Sequence, residues 1–291
     1  MEILKAIIFG LVEGVTEWLP ISSTGHLILL NEWLRFDLPA DREAAFMEFY
    51  DVVIQLAAVM AVVIMYWKVL WPIGREGKDD GKVMVKKKTL TLWLKIIIAC
   101  IPGLIYGLLL DDMVEDLTAP YKTIIVAVML ILIGILFIII ENAHKDKRPK
   151  IKTMPDLDWR IALAIGFFQL IAAALPGSSR SGVTILAGLM MGLSRNVAAS
   201  FTFFLAIPTM FGASLLKLIK YLKNGLAFSG GEIAILVVSC ITAFVISLFA
   251  INFLTLYIGK NKDFKPFGVY RIVLGAIVLA YFGISGGLLA G

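Results

Sequence analysis

The stretch that decides the fold is EGVTEWLPISSTGH, residues 13–26, where two carboxylates, several hydroxyl groups and an imidazole interrupt apolar sequence. The chain repeats this pattern as QLIAAALPGSSRSGVT, residues 169–184. Both copies read Gly, two residues, Glu or Gln, five residues and then Leu-Pro-x-Ser-Ser, beginning at Gly10 and Gly166. Such self-similarity indicates a duplicated structural unit, and we expect the two stretches to act together.

The composition is that of an integral membrane protein. Of the 291 residues, 59% are hydrophobic and 17% are charged, and the mean hydropathy is +0.89. A soluble domain cannot bury so much apolar surface. The net charge of +5 comes from Lys and Arg clustered between apolar runs, as in loops that face anionic membrane lipids, so no nucleic-acid partner is expected. Glu13 and Glu17 interrupt the first apolar run, so we expect mature sequence rather than a signal peptide.

Six apolar segments are long enough to cross a bilayer, and two others are broken. The broken segments are residues 3–34 and 159–192, where Leu-Pro and Ser-Ser interrupt apolar sequence and the proline disfavours helix. Because a span needs roughly 20 apolar residues, each broken segment is expected to form a re-entrant hairpin of two short helices around an irregular tip. The predicted spans are residues 48–70, 92–110, 120–140, 196–216, 233–258 and 268–287.

These segments predict an all-α integral membrane protein with one membrane domain, residues 1–291. Residues 1–140 form the first repeat, residues 141–158 a polar linker and residues 159–291 the second repeat. Each half has a re-entrant helix hairpin and three transmembrane helices. An odd number of spans turns the second half upside down, so we expect an inverted repeat with the two hairpins opposite each other near the membrane midplane.

Basic and acidic loops predict which side of the membrane each loop faces. The basic groups, which should be cytoplasmic, are Arg75, Lys78, Lys82, Lys86, Lys87 and Lys88, then Lys145, Lys147, Arg148, Lys150 and Lys152, then Lys260, Lys262 and Lys265. The acidic loop with Asp111, Asp112, Glu115 and Asp116, and residues 35–48, should lie outside. Lys217, Lys220 and Lys223 contradict this scheme because it places them at an outer end. The first hairpin should enter from outside and the second from the cytoplasm.

The two carboxylates of the first hairpin are candidate metal ligands. Glu13 and Glu17 are spaced i, i+4, so on a helix they share one face about 5–6 Å apart. Carboxylates facing lipid would be very costly, so both should face a polar interior. An oxygen pair suits a hard divalent cation, Mg²⁺ or Ca²⁺. The alternative is a single structural carboxylate neutralised by protonation or by capping.

The tip of the first hairpin offers two candidate nucleophiles. Ser23 and His26 lie three positions apart, so the imidazole could activate a hydroxyl group or receive a phosphoryl group itself. Ser22 and Thr24 are alternatively only caps of the following short helix, since Ser and Thr are favoured there.

The tip of the second hairpin has the composition of an anion site. A glycine, three serines and one arginine, from Gly177 to Ser181, precede a short helix. Backbone amides at a helix N-terminus bind anions, and a guanidinium can hold phosphate oxygens in a bidentate way. The alternative is a structural ion pair of Arg180 with Glu13 or Glu17, since charges within membranes often pair with one another.

Carboxylates for a cation, an arginine for phosphate and a Ser or His nucleophile together favour phosphoryl transfer on a lipid-linked phosphate at membrane depth. Two other classes stay open. A lipid-phosphate transporter or flippase would use the same inverted repeats and anion-binding tips. A non-catalytic lipid-binding protein would not need the carboxylate pair.

The motifs closely resemble the undecaprenyl-diphosphate phosphatase family, also called the bacitracin-resistance family. Glu13 and Glu17 match its (E/Q)xxxE motif, Ser23 and His26 match its SSTGH segment, and residues 176–184 match its PGxSRSxxT motif. The resemblance extends over essentially the whole chain.

The resemblance implies hydrolysis of C55 undecaprenyl diphosphate to undecaprenyl phosphate, with a divalent cation, at the outer face of the bacterial inner membrane. It also implies recycling of the peptidoglycan lipid carrier and bacitracin resistance. By matching, Arg180 would hold the diphosphate, Glu13 and Glu17 would bind metal or help activate the attack, and Ser23 or His26 would act as nucleophile or acid/base. Metal-activated water stays an alternative nucleophile, and a homo-oligomer is left open. Further phosphate contacts would come from Ser22, Thr24, Gly177, Ser178, Ser179, Ser181 and Thr184.

Overall fold

A computed structural model describes residues 1–74, 84–145, 147–223 and 228–285. These residues are predominantly helical, which confirms the predicted all-α membrane class. One short antiparallel β pair joins Ile73–Gly74 to Met84–Val85 at the end of the first span.

The helices of the first half form two short hairpin helices followed by three long ones with smaller connecting helices. They are α1 (Glu2–Thr16), α2 (Ser23–Trp33), α3 (Ala40–Met65), α4 (Trp67–Leu70), α5 (Lys87–Leu109), α6 (Asp111–Thr118), a 3₁₀ turn (Ala119–Tyr121) and α7 (Lys122–His144).

The second half has the same order of elements without the small connecting helices. They are α8 (Trp159–Ala174), α9 (Arg180–Met190), α10 (Arg195–Lys223), α11 (Gly230–Gly259) and α12 (Lys265–Ser285).

Six of these helices, α3, α5, α7, α10, α11 and α12, are long and apolar enough to cross a membrane, as predicted. The hairpin helices have 15, 11, 16 and 11 residues, which is short of the roughly 20 residues a span requires. The chain is therefore a multi-pass membrane protein with a helix, break, helix arrangement at both predicted hairpins.

The first span differs from its prediction at both ends. The predicted segment was residues 48–70, whereas α3 begins at Ala40 and ends at Met65, with α4 following after Tyr66. Hydropathy locates the apolar part of a helix. Hydropathy does not predict the polar first turns that follow Pro39, because polar residues also form helix outside the bilayer core.

Helix packing joins the two halves of the chain to each other. The first hairpin helix of each half packs on the second span of the other, so α1 contacts α11 and α8 contacts α5. A Cβ added at Gly10 would lie 2.6 Å from the carbonyl oxygen of Ser239, and one at Gly166 would meet the carbonyl of Ala99. These contacts join matching positions and support the predicted repeat. The inverted orientation of the halves stays a prediction.

Contacts between loops sort the charged segments into two groups, as the sidedness scheme requires. Lys217 lies against Glu48 and against Glu115, whose Oε2 is 3.6 Å from its Nζ. This lysine is thus paired with residues of the predicted outer face, and the sidedness of these loops stays a prediction. The side chains of Lys220 and Lys223 lie outside the described part of the chain.

The predicted cytoplasmic segments also meet each other. In the linker, Lys150 N–H donates to Gly192 O at 2.9 Å, and Lys95 Nζ donates to Pro155 O at 3.0 Å. Phe264 N–H donates to Glu141 Oε1 at 3.0 Å, which adds the α11–α12 connection to this group. The predicted cytoplasmic residues Arg75, Lys78 and Lys82 lie outside the described residues.

Candidate active site at the two hairpin tips

The tips share an unusual backbone conformation. Ser22, which precedes α2, has φ 76°, and Ser179, which precedes α9, has φ 67°. A non-glycine residue in this left-handed region is strained, and such strain is concentrated at functional sites. At the second tip, Ser179 Oγ caps α9 by accepting a hydrogen bond from Gly182 N–H at 3.2 Å.

This backbone corrects the predicted alignment of the tips by one residue. The sequence pattern aligned Ser22 with Ser178, whereas the structure places Ser22 and Ser179 at equivalent positions. The second tip has one additional residue, and Gly177 accommodates it with φ +86°. A side chain at Gly177 would lie 2.5 Å from Val126 Cα, so only glycine fits. Consequently Ser23 and Arg180 are equivalent first residues of α2 and α9.

Both of these first residues bind the same carboxylate, Glu17. Arg180 Nη2 donates to Glu17 Oε1 at 2.9 Å, and Ser23 Oγ donates to Glu17 Oε2 at 2.9 Å. Ser181 Oγ donates to the backbone oxygen of Glu17 at 3.1 Å. The predicted structural pair of Arg180 with a glutamate therefore exists, and it brings the nucleophile candidate and the phosphate-binding candidate to one point.

Glu13 has a different environment although it lies one turn earlier on α1. Its side chain is fully buried, and neither carboxylate oxygen has a hydrogen-bond partner among the described residues. Asp51, on α3, is near enough to act on it electrostatically. A buried carboxylate without a donor is costly, so Glu13 requires a proton or a cation.

A divalent cation fits this donor set. Glu13 provides two unpaired oxygens, and hard cations such as Mg²⁺ and Ca²⁺ take oxygen ligands. Glu17 could add a further oxygen, although its Oε atoms already accept bonds from Arg180 and Ser23. Among the described residues, the only group of three acidic side chains close enough to share an ion is Asp111, Asp112 and Glu115, on the α5–α7 connection. A metal at the tips would therefore complete its coordination with phosphate oxygens, as Mg²⁺ commonly does.

His26 is not bonded to Ser23, contrary to the predicted activation of a hydroxyl group by the imidazole. Its Nδ1 lies 2.7 Å from the carbonyl oxygen of Ser22 and therefore carries the proton. Its Nε2 lies 2.7 Å from the hydroxyl of Tyr270, which donates to it. The rings are nearly parallel, with centroids 5.6 Å apart. In this structure the hydroxyl of Ser23 is hydrogen-bonded to a carboxylate instead, because α2 directs the imidazole toward α12.

The other predicted phosphate contacts are mostly engaged within the second hairpin. Ser178 Oγ is buried and donates to Leu175 O at 2.7 Å. Thr184 Oγ1 donates to Arg180 O at 2.8 Å and lies 2.9 Å from Thr202 Oγ1. These residues support the position of Arg180. Ser179, Ser181 and Thr24 lie at the two helix starts themselves, with Ser179 and Thr24 partly exposed.

Arg271, on α12, is a site residue that the sequence interpretation missed. Its fully buried side chain donates to Pro20 O at 3.2 Å and to the carbonyls of Gly177 and Ser178, each at 2.9 Å. It thereby ties the two tips together. Arg271 and Asp51 had a readable signal, since each is an ionisable residue within an apolar span.

Comparisons with known proteins identify the family of this chain. Residues 6–277 match the model of the family described as bacitracin resistance protein BacA. A relative from Desulfitobacterium hafniense, named undecaprenyl-diphosphatase, is 54% identical over 97% of this chain and 96% of its own length. A relative of the same name from Lachnoclostridium phytofermentans is 53% identical over 97% of both chains. The resemblance expected from the motifs is confirmed, and this chain belongs to the bacitracin resistance protein BacA family.

Proposed function

We propose that this protein is an undecaprenyl-diphosphate phosphatase, a phosphoric anhydride hydrolase that releases phosphate from a polyprenyl diphosphate lipid. The observation that supports this most directly is the meeting of Ser23 and Arg180 on the carboxylate of Glu17. A nucleophile, its base and a phosphate-binding cation then lie within one hydrogen-bonded group. The relatives' name supports the choice of substrate.

In this mechanism, binding of the diphosphate draws Arg180 to phosphate oxygens and leaves Glu17 bonded to Ser23. Ser23 Oγ attacks the terminal phosphorus, its proton passes to Glu17, and the bond from phosphorus to the bridging oxygen breaks. Undecaprenyl phosphate leaves, and Glu17 releases its proton to solvent. Water then attacks the phosphoserine, the phosphorus–Oγ bond breaks, Oγ takes a proton from that water, and phosphate departs. General base catalysis of this kind contributes about 10²–10⁴-fold.

The remaining residues of the site would bind the metal ion or fix the positions of the two tips. Glu13, with Glu17, would hold Mg²⁺ or Ca²⁺, which when bound would neutralise phosphate charge in the transition state. Arg271 fixes the separation of the two tips through carbonyl groups on both. His26 orients the first tip through Ser22 O. We place the protein in the bacterial inner membrane with the site open to the outer face, where it would recycle the cell-wall lipid carrier and confer bacitracin resistance.

The test is phosphate release from farnesyl (C15) and undecaprenyl diphosphate by purified protein in detergent, with Mg²⁺ or Ca²⁺. Release by the unmodified protein, and trapping of an acid-stable, alkali-labile phosphoserine, are expected. Ser23→Ala should lose both, with at least about 100-fold slower turnover. Ser214→Ala is the matched control, since its Oγ donates to Val52 O on another helix.

Three outcomes would change the proposal. No release with either cation would overturn the enzyme function and favour the lipid-phosphate transporter with the same repeats. A phosphohistidine instead of phosphoserine would make His26 the nucleophile, and absence of any adduct would favour an attacking water.

A further inference from the structure

A polar cavity lies where the linker meets the connections from α9 to α10 and from α11 to α12. Its volume is about 420 Å³, and none of the hairpin-tip residues that form the candidate active site lines it. The polar side chains of its wall include His144, Lys147, Arg148, Lys150, Arg195 and Asn261.

Backbone hydrogen bonds fix the shape of this cavity. The linker runs alongside the α9–α10 connection in a short parallel bridge between Ile151 and Leu193. Ile151 N–H donates to Gly192 O at 3.1 Å, and Ser194 N–H donates to Ile151 O at 2.8 Å. The basic part of the linker is therefore attached at one end to the wall rather than extending freely from the membrane surface.

The described lining of the cavity has a clear excess of positive charge. Its one described carboxylate, Glu141, is already bound by Arg195 through Nε at 2.9 Å and also through Nη2. No ion pair joins Lys147, Arg148 or Lys150 to any of the described residues. Three cations in a concave wall thus lack a described counter-charge.

The N-terminus of α10 adds backbone N–H donors, whose partial positive charge adds to that of the basic side chains. Ser194 caps this helix by accepting from Val197 N–H at 3.3 Å, and the first backbone bond runs from Ala198 N–H to Ser194 O. Arg195 and Asn196, whose amides come before that bond, are among the residues that line the cavity. Backbone amides at a helix N-terminus favour an anion.

We propose that this cavity is a second phosphate-binding site, on the predicted cytoplasmic side, for an anionic phospholipid headgroup or free phosphate. Arg148 offers a guanidinium group that matches phosphate oxygens, and the two lysines add point charges. Basic pockets between helices on the cytoplasmic side recognise lipid headgroups in this way. This site is separate from catalysis at the tips.

The test compares two triple variants of the full-length protein in detergent. Lys147→Gln, Arg148→Gln and Lys150→Gln together remove the cavity charges. Lys86→Gln, Lys87→Gln and Lys88→Gln remove the same charge from another predicted cytoplasmic segment that does not line the cavity. Thermal stabilisation would be titrated with inorganic phosphate, with dioleoylphosphatidylglycerol and with dioleoylphosphatidylcholine.

The unmodified protein and the Lys86–Lys88 variant should bind with equal affinity, and the cavity variant at least about tenfold more weakly, the loss expected from removing charge-assisted contacts. Stabilisation by phosphatidylglycerol alone identifies a lipid headgroup, and stabilisation by phosphate as well identifies the free anion as sufficient. Equal binding by the two variants, or equal binding of phosphatidylcholine, overturns the proposal. Melting temperatures without ligand verify that both variants fold, independently of any enzyme activity.

Discussion

The two hairpin tips have the same backbone conformation and differ in how their polar groups are satisfied. At the second tip, Ser178, Ser179 and Arg180 all form hydrogen bonds within the protein. At the first tip, both oxygens of Glu13 and the buried Oγ of Ser22 have no hydrogen-bond partner in the part of the chain that the structure describes. Unpaired buried polar groups are expensive. These groups of the second tip are therefore satisfied in the folded chain without substrate, whereas the first tip keeps buried polar groups that lack a partner there.

One turn further from the tips, the matching residues of the two halves differ in charge. Gln169, at the position matching Glu13, is also buried, and its Oε1 has no hydrogen-bond partner within the described ranges. Burial of a neutral amide costs much less free energy than burial of a carboxylate. Divergence of the repeat has thus left the ionisable acid in one half and the arginine in the other, and this opposite charge joins the two tips at Glu17.

The largest expected effect comes from removing the charge of the second tip. Arg180→Ala should lower kcat/KM for prenyl diphosphate hydrolysis at least about 100-fold, the scale of one strong transition-state contact. Glu17→Ala, which removes the partner carboxylate, should cost a similar factor. Arg180→Lys should retain part of the activity because it keeps the charge without the bidentate fork. Steady-state phosphate release measures all three, and near-normal turnover of Arg180→Ala would remove this residue from the mechanism.

The next effect tests whether the tips work as one unit. Arg271→Met deletes the only side chain described as bonding to the carbonyls of both tips, so their separation should change. Misplacement by about 1 Å can cost up to about 100-fold in rate, and kcat should fall while the dependence on metal concentration stays unchanged. Arg271→Lys is the matched variant that keeps the charge. A normal kcat in the Met variant would show that the tips hold their separation without Arg271.

A smaller effect distinguishes the matching acid and amide. Glu13→Gln should raise the Mg²⁺ or Ca²⁺ concentration needed for half-maximal activity at least about tenfold, as loss of groups in a metal site does. Gln169→Ala, at the equivalent position, should leave that concentration unchanged. Metal titrations of phosphate release measure both, and an equal response of the two variants would contradict a cation on Glu13.

The smallest effect concerns the packing that relates the halves. Gly10→Ala and Gly166→Ala should each lower the free energy of unfolding by about 1–3 kcal/mol, because the added methyl group meets a backbone carbonyl. Gly107→Ala is the control, since a Cβ there meets no atom within 4 Å. Thermal melting in detergent would test whether the two helix contacts are energetically alike. A stable Gly166→Ala with an unstable Gly10→Ala would show that only the α1 contact is tight.

The sequence by itself determined the membrane class, the six long helices, the two broken hairpins and the candidate residues that meet at the tips. Each of these depends on local chemistry, since apolar length sets a span and Leu-Pro interrupts a helix. It also gave an ion pair of Arg180 with Glu13 or Glu17 as one of two alternatives. Ionisable residues in apolar sequence must find polar surroundings, so their type alone indicates a site.

Only the tertiary structure decided how these residues pair. Ser23 could face His26 or Glu17, and the direction of α2 against α12 places the imidazole on Tyr270 instead. The one-residue shift between the tips depends on Gly177 fitting against Val126, and the contacts of Arg271 join positions far apart in the chain. Spacing along one helix fixes which side chains share a face. Contacts between helices depend on how several of them pack together, which no single segment specifies.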